Sequence, residues 1–519
     1  MKPYYKLILV CLGALALRLA LAPFVRLPGI ADPNHYYNLG RRLAAGHGFT
    51  IDYVWQFNNP PNTITHPEDY WTPLTGVVVA ASMKLFGTSV RAAILPSILI
   101  GAVALPLLAY GASRQMRCTE AASLFAAAAA AVLPEFVMNS LRTDTTLLST
   151  VFVDLTILVL TYGVRRGGRL PFAILGVTSG LAYLVRSDGA LLLPMVAATL
   201  LAYTRWGRSC VQRLKDWRYV VLAPVLAALV VLPWLVRNVR ETGSLTTPKL
   251  DYMFFLTDYR EHYVYSTRLS LNTLLESQTP AQLIAKRLFE MAASVKLMYT
   301  TLDVLLPVAV AGGLILLLAA RDRDRLLTLA PTLILLGGFF FFYTILVPFK
   351  SQGGSFKKTY LSLIPLLLPL AGYALERAIA DRRLLLGTML LTIGFMSANA
   401  IELSRADISF ASRYLDVMRR VVVVARVLPD TNGDGETVLM AQDQFILGFL
   451  GMRSVVIPME NRDVVLEVAR RYHVDYLMMP PARPSLDPIY EGKETDPRFV
   501  PVKAIPGTDI VLYRFEYNP

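Results

Sequence analysis

Runs of apolar residues, each about 17–25 long, recur along this chain from Tyr4 to Ile401, and alternate gaps between them are crowded with arginine. No feature of the sequence narrows its folding options more. A segment that enters hydrocarbon must satisfy its own backbone hydrogen bonds, so runs of this length become membrane-crossing helices. The runs read as about eleven spans, near 7–24, 89–112, 119–138, 145–163, 170–186, 188–204, 219–236, 302–320, 326–347, 360–376 and 384–401. Of the 519 residues 54% are hydrophobic and 17% charged, a balance foreign to a soluble chain. The expected class is a polytopic α-helical membrane protein.

The arginines orient it. Lys2 and Lys6, Arg114 and Arg117, Arg165, Arg166 and Arg169, Arg205 to Arg218, Arg321 to Arg325, and Arg377 to Arg383 fall in alternate loops. Cationic short loops stay cytoplasmic, so the N-terminus is expected inside and the C-terminal region outside an inner or plasma membrane. The net charge of +13 is absorbed by these loops and by anionic lipid, and no nucleic-acid-binding motif accompanies it. Cys11, Cys118 and Cys210 fall in the first span or in cytoplasmic loops, so no disulfide is expected. Arg18 interrupts the first run and no small-residue cleavage site follows, which reads as a retained helix rather than a leader.

Two long loops, about 25–88 and 237–301, are then outside. The first holds a run, Asp32 to Ala45, with Tyr36, Leu39 and Leu43 on one face and Asn34, Asn38, Arg41 and Ala45 on another. It is expected to rest on the bilayer surface and to stop at Gly46 and Gly48. Pro73 to Gly87 is short for a span and reads as a helix dipping in from outside. Residues 281–299 read as a second amphipathic surface helix. The unit 1–401 is expected to be the membrane domain. From 402 to 519 strand candidates VLMAQD, RSVVIP and VDYLMM alternate with helical stretches and end in a hairpin, which makes a small extracytoplasmic α/β domain. DTNGDGE at 430–436 lacks the acidic twelfth position of a calcium loop and reads as a solvated turn.

Ionisable residues at membrane ends are costly and point to function. Asp32 is the first candidate, as a catalytic base; helix punctuation, Asp as N-cap with Pro at N1, is the competing reading. Asp144 is the second, in SLRTDTTLL, where a cap again competes and Thr143 is the rival capping residue. Arg186 and Asp188 occupy a tight outer turn and could equally be a local ion pair. Arg237 and Asn238 end the seventh span, where snorkelling is the plain alternative for Arg237. Lys357 and Lys358 follow a Gly-Gly pair, in position to hold a phosphate headgroup or simply to be solvated. Tyr36 and His66 complete the substrate-binding candidates. Asp154, deeper in its helix, reads as a helix–helix hydrogen-bond partner. Carboxylates to take a proton and cations to balance a leaving phosphate suit displacement at a lipid-linked phosphate.

These residues resemble the GT-C superfamily of polytopic glycosyltransferases, and within it glycosyltransferase family 39, the dolichyl-phosphate-mannose protein mannosyltransferase and aminoarabinose transferase group. The likeness covers about residues 1–400. It rests on Asp32, Tyr36, Gly46 and Gly48, on Pro73 to Gly87, on Asp144, on Tyr183 to Gly189, on Pro233 to Asn238, the most specific piece, and on Lys358 with Pro365. Pro33 replaces a second carboxylate often found after the first, and Lys358-Thr359 stands where Arg-Tyr is usual, which removes bidentate phosphate contact. The resemblance implies a GT-C fold, a polyprenyl-phosphate-linked sugar donor, a lipid, glycan or protein acceptor, and inverting transfer outside the cytoplasm. No cofactor is expected to be required; a divalent metal stays open, with no support in the sequence. A transporter or flippase of lipid-linked sugars would be expected to show internal repeats and midplane charges. A non-catalytic scaffold is the third possibility.

Overall fold

The computed structural model describes residues 3–206, 217–248, 250–303, 305–347, 355–433 and 435–517. Cys210, the loop cations Arg208, Arg213 and Lys215, and the Gly353–Gly354 pair lie outside them. The described residues of the expected spans are mainly helical. Among the described residues six helices are long and apolar enough to cross a membrane, or up to eight if each of two bent pairs is one span. The expected segment at 188–204 joins a 3-10 turn, Ser187–Leu191, to the helix Leu192–Trp206, while those at 170–186 and 360–376 form helices of only 17 and 15 residues, Arg169–Val185 and Ile364–Ala378. At 1.5 Å per residue these reach about 22–26 Å, less than a full hydrocarbon thickness. The third expected span bends by 49° between Glu120–Val132 and Pro134–Ser140. Pro134 has no N–H for the preceding turn, and the buried Arg18 of the first helix takes the Ala131 carbonyl there at 2.8 Å and Ser140 Oγ at 2.8 Å. Cys11 and Cys118 are free thiols.

The arginine-rich loops meet at one end of the bundle. Lys6 pairs with Glu120, Arg117 with Asp324, and Arg325 donates to the Met116 carbonyl. Asp32, Asp144, Arg186 and Lys358 collect at the other end.

The helix Asp32–Ala44 is not laid on the bilayer. Pro33 to Gly40 are all buried. On one side it crosses the helix Leu74–Phe86 so closely that a Cβ on Gly40 would lie 2.5 Å from Val79, and one on Gly76 would lie 2.8 Å from Leu39. Its polar face carries protein rather than headgroups. Asn38 donates to the Phe445 carbonyl at 2.9 Å, and Arg41 donates to the carbonyls of Gly448 and Phe449 at 2.7 and 3.1 Å. Those carbonyls belong to the short helix Gln444–Phe449, and a cation at its C-terminal turn is favoured by the exposed carbonyl ends. An amphipathic pattern records two unlike faces but not what covers the polar one, and here the C-terminal unit does.

That unit contains the expected strands. A six-stranded sheet runs in the order Tyr53–Val54, Arg453–Val456, Val438–Ala441, Tyr476–Met479, Val511–Phe515, Phe499–Ala504, the first four parallel and the last two an antiparallel hairpin. Val438–Ala441 is buried at every residue, as befits a parallel strand covered on both faces. The edge strand Tyr53–Val54 comes from the first long loop, 25–88. The boundary expected at 401/402 falls inside one unbroken helix, Arg382–Val427. Its C-terminal half packs Leu415, Met418, Val421 and Val422 against Leu439, Tyr476 and Leu512. Nothing in a helix's backbone marks where hydrocarbon ends, so apolar residues that face a sheet prolong the same helix. At DTNGDGE, Asp430 accepts from the amides of Asn432, Gly433 and Gly435, a turn closed on itself.

Candidate functional site

Asp32, Asp144 and Lys358 meet. Lys358 Nζ lies 3.0 Å from Asp32 Oδ2 and 2.8 Å from Asp144 Oδ2. Three separate segments supply them: the start of Asp32–Ala44, the start of Thr145–Arg166, and the short helix Ser355–Leu361. The two carboxylates are unequal. Asp144 is the N-cap of its helix, its Oδ1 accepting from Thr146 N at 2.9 Å, Thr146 Oγ1 at 2.7 Å and Thr145 Oγ1 at 3.3 Å, and its side chain is 5% exposed. Asp32 does not cap. Ala31 occupies the N-cap position with φ +60°, no side chain caps there, and Asp32 becomes the first helical residue. Its side chain is 37% exposed, with Lys358 its partner among the described residues. The capping explanation therefore holds for Asp144 and fails for Asp32.

Burial pushes the Asp144 carboxyl up, but the Lys358 ammonium and the Thr146 donors outweigh it and hold the group well below the usual range. Burial likewise lowers Lys358, and the two carboxylates more than compensate, so it stays protonated. Tyr36, fully buried one helical turn beyond Asp32, is raised well above its ordinary value by burial and by the charges of Asp32 and Asp144. Arg186 reaches the same end. Its Nη1 lies 3.4 Å from Thr145 Oγ1 while Nε and Nη2 clasp Asp188 at 3.2 and 2.6 Å, and the Tyr343 hydroxyl donates to Asp188 at 2.6 Å. The turn is thus the local ion pair that the sequence allowed, and it also adjoins the helix start that carries Asp144. Lys357 turns to Glu135 at 2.6 Å.

The other candidates brace loops. Arg237 donates to the carbonyls of Glu68 and, at 3.0 Å, Phe49, with its guanidinium 4.8 Å from the Trp234 ring centre. Asn238 donates to the Leu245 carbonyl at 3.3 Å. His66 lies in a two-residue ladder with Thr50 and Ile51, its Nδ1 2.8 Å from the Ile64 carbonyl. None of these three shares a hydrogen bond with Asp32, Asp144 or Lys358 among the described residues. Asp154 is fully buried with neither carboxylate oxygen hydrogen-bonded among the described residues, so the expected helix–helix partner is not in place.

Sequence reasoning passed over the pair beneath the site, His35 and Glu68. Both are buried, with Glu68 Oε2 3.3 Å from His35 Nε2, Glu68 Oε1 accepting from the amides of Tyr70 and Trp71 at 2.8 Å each, and His35 Nδ1 2.8 Å from the Tyr53 hydroxyl. The separation is that of an ion pair, yet burial pushes Glu68 up to about 8 and His35 down to about 3, so near neutral pH the two are uncharged. A Glu-Asp pair in an aromatic, proline-rich loop was the signal available for Glu68. Tyr343, the last ring of FFFFY, gave none beyond its single hydroxyl in an apolar run. Among the described residues no three His, Cys, Asp or Glu side chains gather as a metal site.

Residues 65–236 match the family described as dolichyl-phosphate-mannose-protein mannosyltransferase. That stretch contains Asp144, Arg186 and Asp188 and leaves Asp32 and Lys358 outside. No curated protein was found to match the sequence. In three dimensions the chain is similar to ArnT from Cupriavidus metallidurans bound to undecaprenyl phosphate, with TM-score 0.62 and 16% identity over 98% of this chain and 97% of that one. It is also similar to the apo oligosaccharyltransferase of Archaeoglobus fulgidus, with TM-score 0.54 and 12% identity over 92% of this chain and 69% of that one. The archaeal oligosaccharyltransferase AglB from the same organism, in complex with an inhibitory peptide and a dolichol-phosphate, gives TM-score 0.50 at 13% identity over the same shares. At these identities the likeness is one of architecture: the chain is a multi-pass membrane protein with the GT-C fold of membrane glycosyltransferases. Within that fold its motifs resemble glycosyltransferase family 39.

Proposed function

We propose that this protein transfers a sugar from a polyprenyl-phosphate-linked donor to an acceptor hydroxyl at the outer face of the membrane, with inversion at the anomeric carbon. The observation that carries the reading is the convergence of Asp32, Asp144 and Lys358 at one end of the bundle, with one carboxylate half-exposed and the other buried in four contacts. Asp32 is the base. The acceptor hydroxyl gives its proton to the Asp32 carboxylate while its oxygen bonds to the anomeric carbon. The bond from that carbon to the phosphate oxygen breaks, and its electron pair leaves with the lipid phosphate.

Asp144 has no free role as a base, since its oxygens already hold Thr145, Thr146 and Lys358. It anchors Lys358, which, with Arg186 nearby, offsets the charge gathering on the phosphate. The lipid phosphates bound by the ArnT and AglB structures support this choice of donor class. No step of this reaction calls for a metal or cofactor. The outer orientation follows the arginine loops.

Asp32→Asn tests the reading directly. Asparagine keeps the size and a hydrogen-bond acceptor for Lys358 but takes no proton. Transfer from synthetic undecaprenyl-phosphate hexoses and pentoses should fall by about a hundred-fold or more, with undecaprenyl phosphate binding retained. A folded Asp32→Asn protein that transfers at the wild-type rate would remove Asp32 from the chemistry.

A further inference from the structure

Asp32 and Asp144 are 112 residues apart in sequence, yet both carboxylates fall on one ammonium, and the chain just beside them is stitched together by a single side chain. Thr143, immediately before Asp144, donates its hydroxyl to the carbonyl of Pro33, immediately after Asp32. Its amide donates to the Pro28 carbonyl at 3.1 Å, so one residue grips both ends of the segment 28–33. Thr143 is 1% exposed.

The gripped segment is not one the chain adopts for its own comfort. Ala31 has φ +60°, a region that L-residues enter at a cost, and Gly29 has φ +117°. A Cβ on Gly29 would lie 2.7 Å from Pro33 and 3.3 Å from Arg142, so the loop is folded tightly on the segment that carries Asp144. Ala31, at φ +60° and ψ −120°, is what places Asp32 inside the helix rather than at its cap, with its carboxylate turned to Lys358. Such a conformation persists only when surrounding contacts over-determine it. The rival capping role falls away as well, because Asp144 itself caps the helix and the Thr143 hydroxyl is committed to Pro33.

We propose that Thr143 is a positioning residue whose hydroxyl sets the separation of the Asp32 and Asp144 carboxylates across Lys358, a role whose catalytic consequence rests on the transfer reading above. Thr143 touches no reacting atom. It fixes the base relative to the cation that faces the leaving phosphate, and a base displaced by about 1 Å loses on the order of a hundred-fold in rate. Donor binding, which in the transfer reading depends on Lys358, is left alone.

The test compares wild type, Thr143→Val and Thr143→Ser in lipid nanodiscs, with undecaprenyl phosphate as the binding probe and undecaprenyl-phosphate hexoses and pentoses as donors. Valine keeps the shape and deletes the hydroxyl. It should lower kcat by about ten- to a hundred-fold and leave the donor KM and undecaprenyl phosphate affinity within about two-fold, while serine restores most of kcat. Wild-type kcat in folded Thr143→Val, or a serine variant as slow as valine, overturns the proposal. Should Thr143→Val not accumulate, Thr143→Ala replaces it. If both hydroxyl-free variants fail to fold while serine folds, the bond is structural only and the proposal falls. A second readout does not need turnover: Thr143→Val should lower the melting temperature less in an Asp32→Asn background than in wild type, because the contact it protects is already weakened. If wild type moves no sugar from any donor, the transfer reading fails by itself. Additive melting shifts overturn the positioning role whatever the activity.

Discussion

Lys358 is the residue whose removal has the most calculable consequence. In Lys358→Met the side-chain volume is nearly kept and the charge is lost. Asp144 is left as a carboxylate with 5% exposure. Breaking a buried ion pair by deleting one partner costs about 3–5 kcal/mol, and the three remaining donors on Asp144 Oδ1 offset part of that, so about 2–4 kcal/mol is expected. Asp32, 37% exposed, hydrates when its partner goes and adds no more than about 1 kcal/mol.

The pH dependence has a definite sign. Asp144's folded value is lowered, so its contribution is present above its unfolded value near pH 4 and disappears as pH falls through the folded value. Lys358's folded value is raised, so its contribution is present below about pH 10 and is lost as pH rises through the folded value. Wild type therefore keeps the pair throughout the neutral range, and Lys358→Met loses it there. Thermal unfolding of the detergent-solubilised protein, followed by tryptophan fluorescence at pH 7, checks this. Lys358→Met should melt well below wild type, and adding Asp144→Asn should recover much of the loss by removing the stranded charge. A Lys358→Met protein that melts with wild type, or a double variant less stable than the single one, would refute the reasoning.

Two further outcomes are expected. Glu68 has a folded pKa of about 8, above its unfolded value near 4.3, so the native state holds the proton longer and stability drains away as pH rises between those values; Glu68→Gln should gain on wild type across that interval in the same melting assay. A lone cysteine introduced at Lys493, an exposed position in the C-terminal unit, should react with an impermeant maleimide on intact cells stripped of any outer barrier, and labelling only after lysis would reverse the proposed orientation.

The membrane class was legible in the sequence because it needs only one-dimensional information. Apolar runs of spanning length, broken by arginine loops, define helices and their alternating ends without reference to any partner, and Asp32, Asp144, Arg186 and Lys358 stood out because charge at a membrane end is costly wherever it falls. The strands Val438–Ala441, Arg453–Val456 and Tyr476–Met479 were legible for the same reason, from local composition. What covers a face is not local. Asn38 and Arg41 look alike in sequence whether they meet lipid headgroups or the carbonyls of Phe445 and Gly448, and only the tertiary structure places Gln444–Phe449 on them. Asp32 and Asp144 both read as caps. The difference lies in the positive φ of Ala31, in a segment that Thr143 grips at Pro28 and Pro33 from more than a hundred residues away, and no local preference of Ala predicts that conformation. Arg237 and Lys358 likewise read as equivalent outer cations. Packing sends one to the carbonyls of Glu68 and Phe49 and the other between two carboxylates, because the partner of a charge is set by whichever segments the fold brings within its reach.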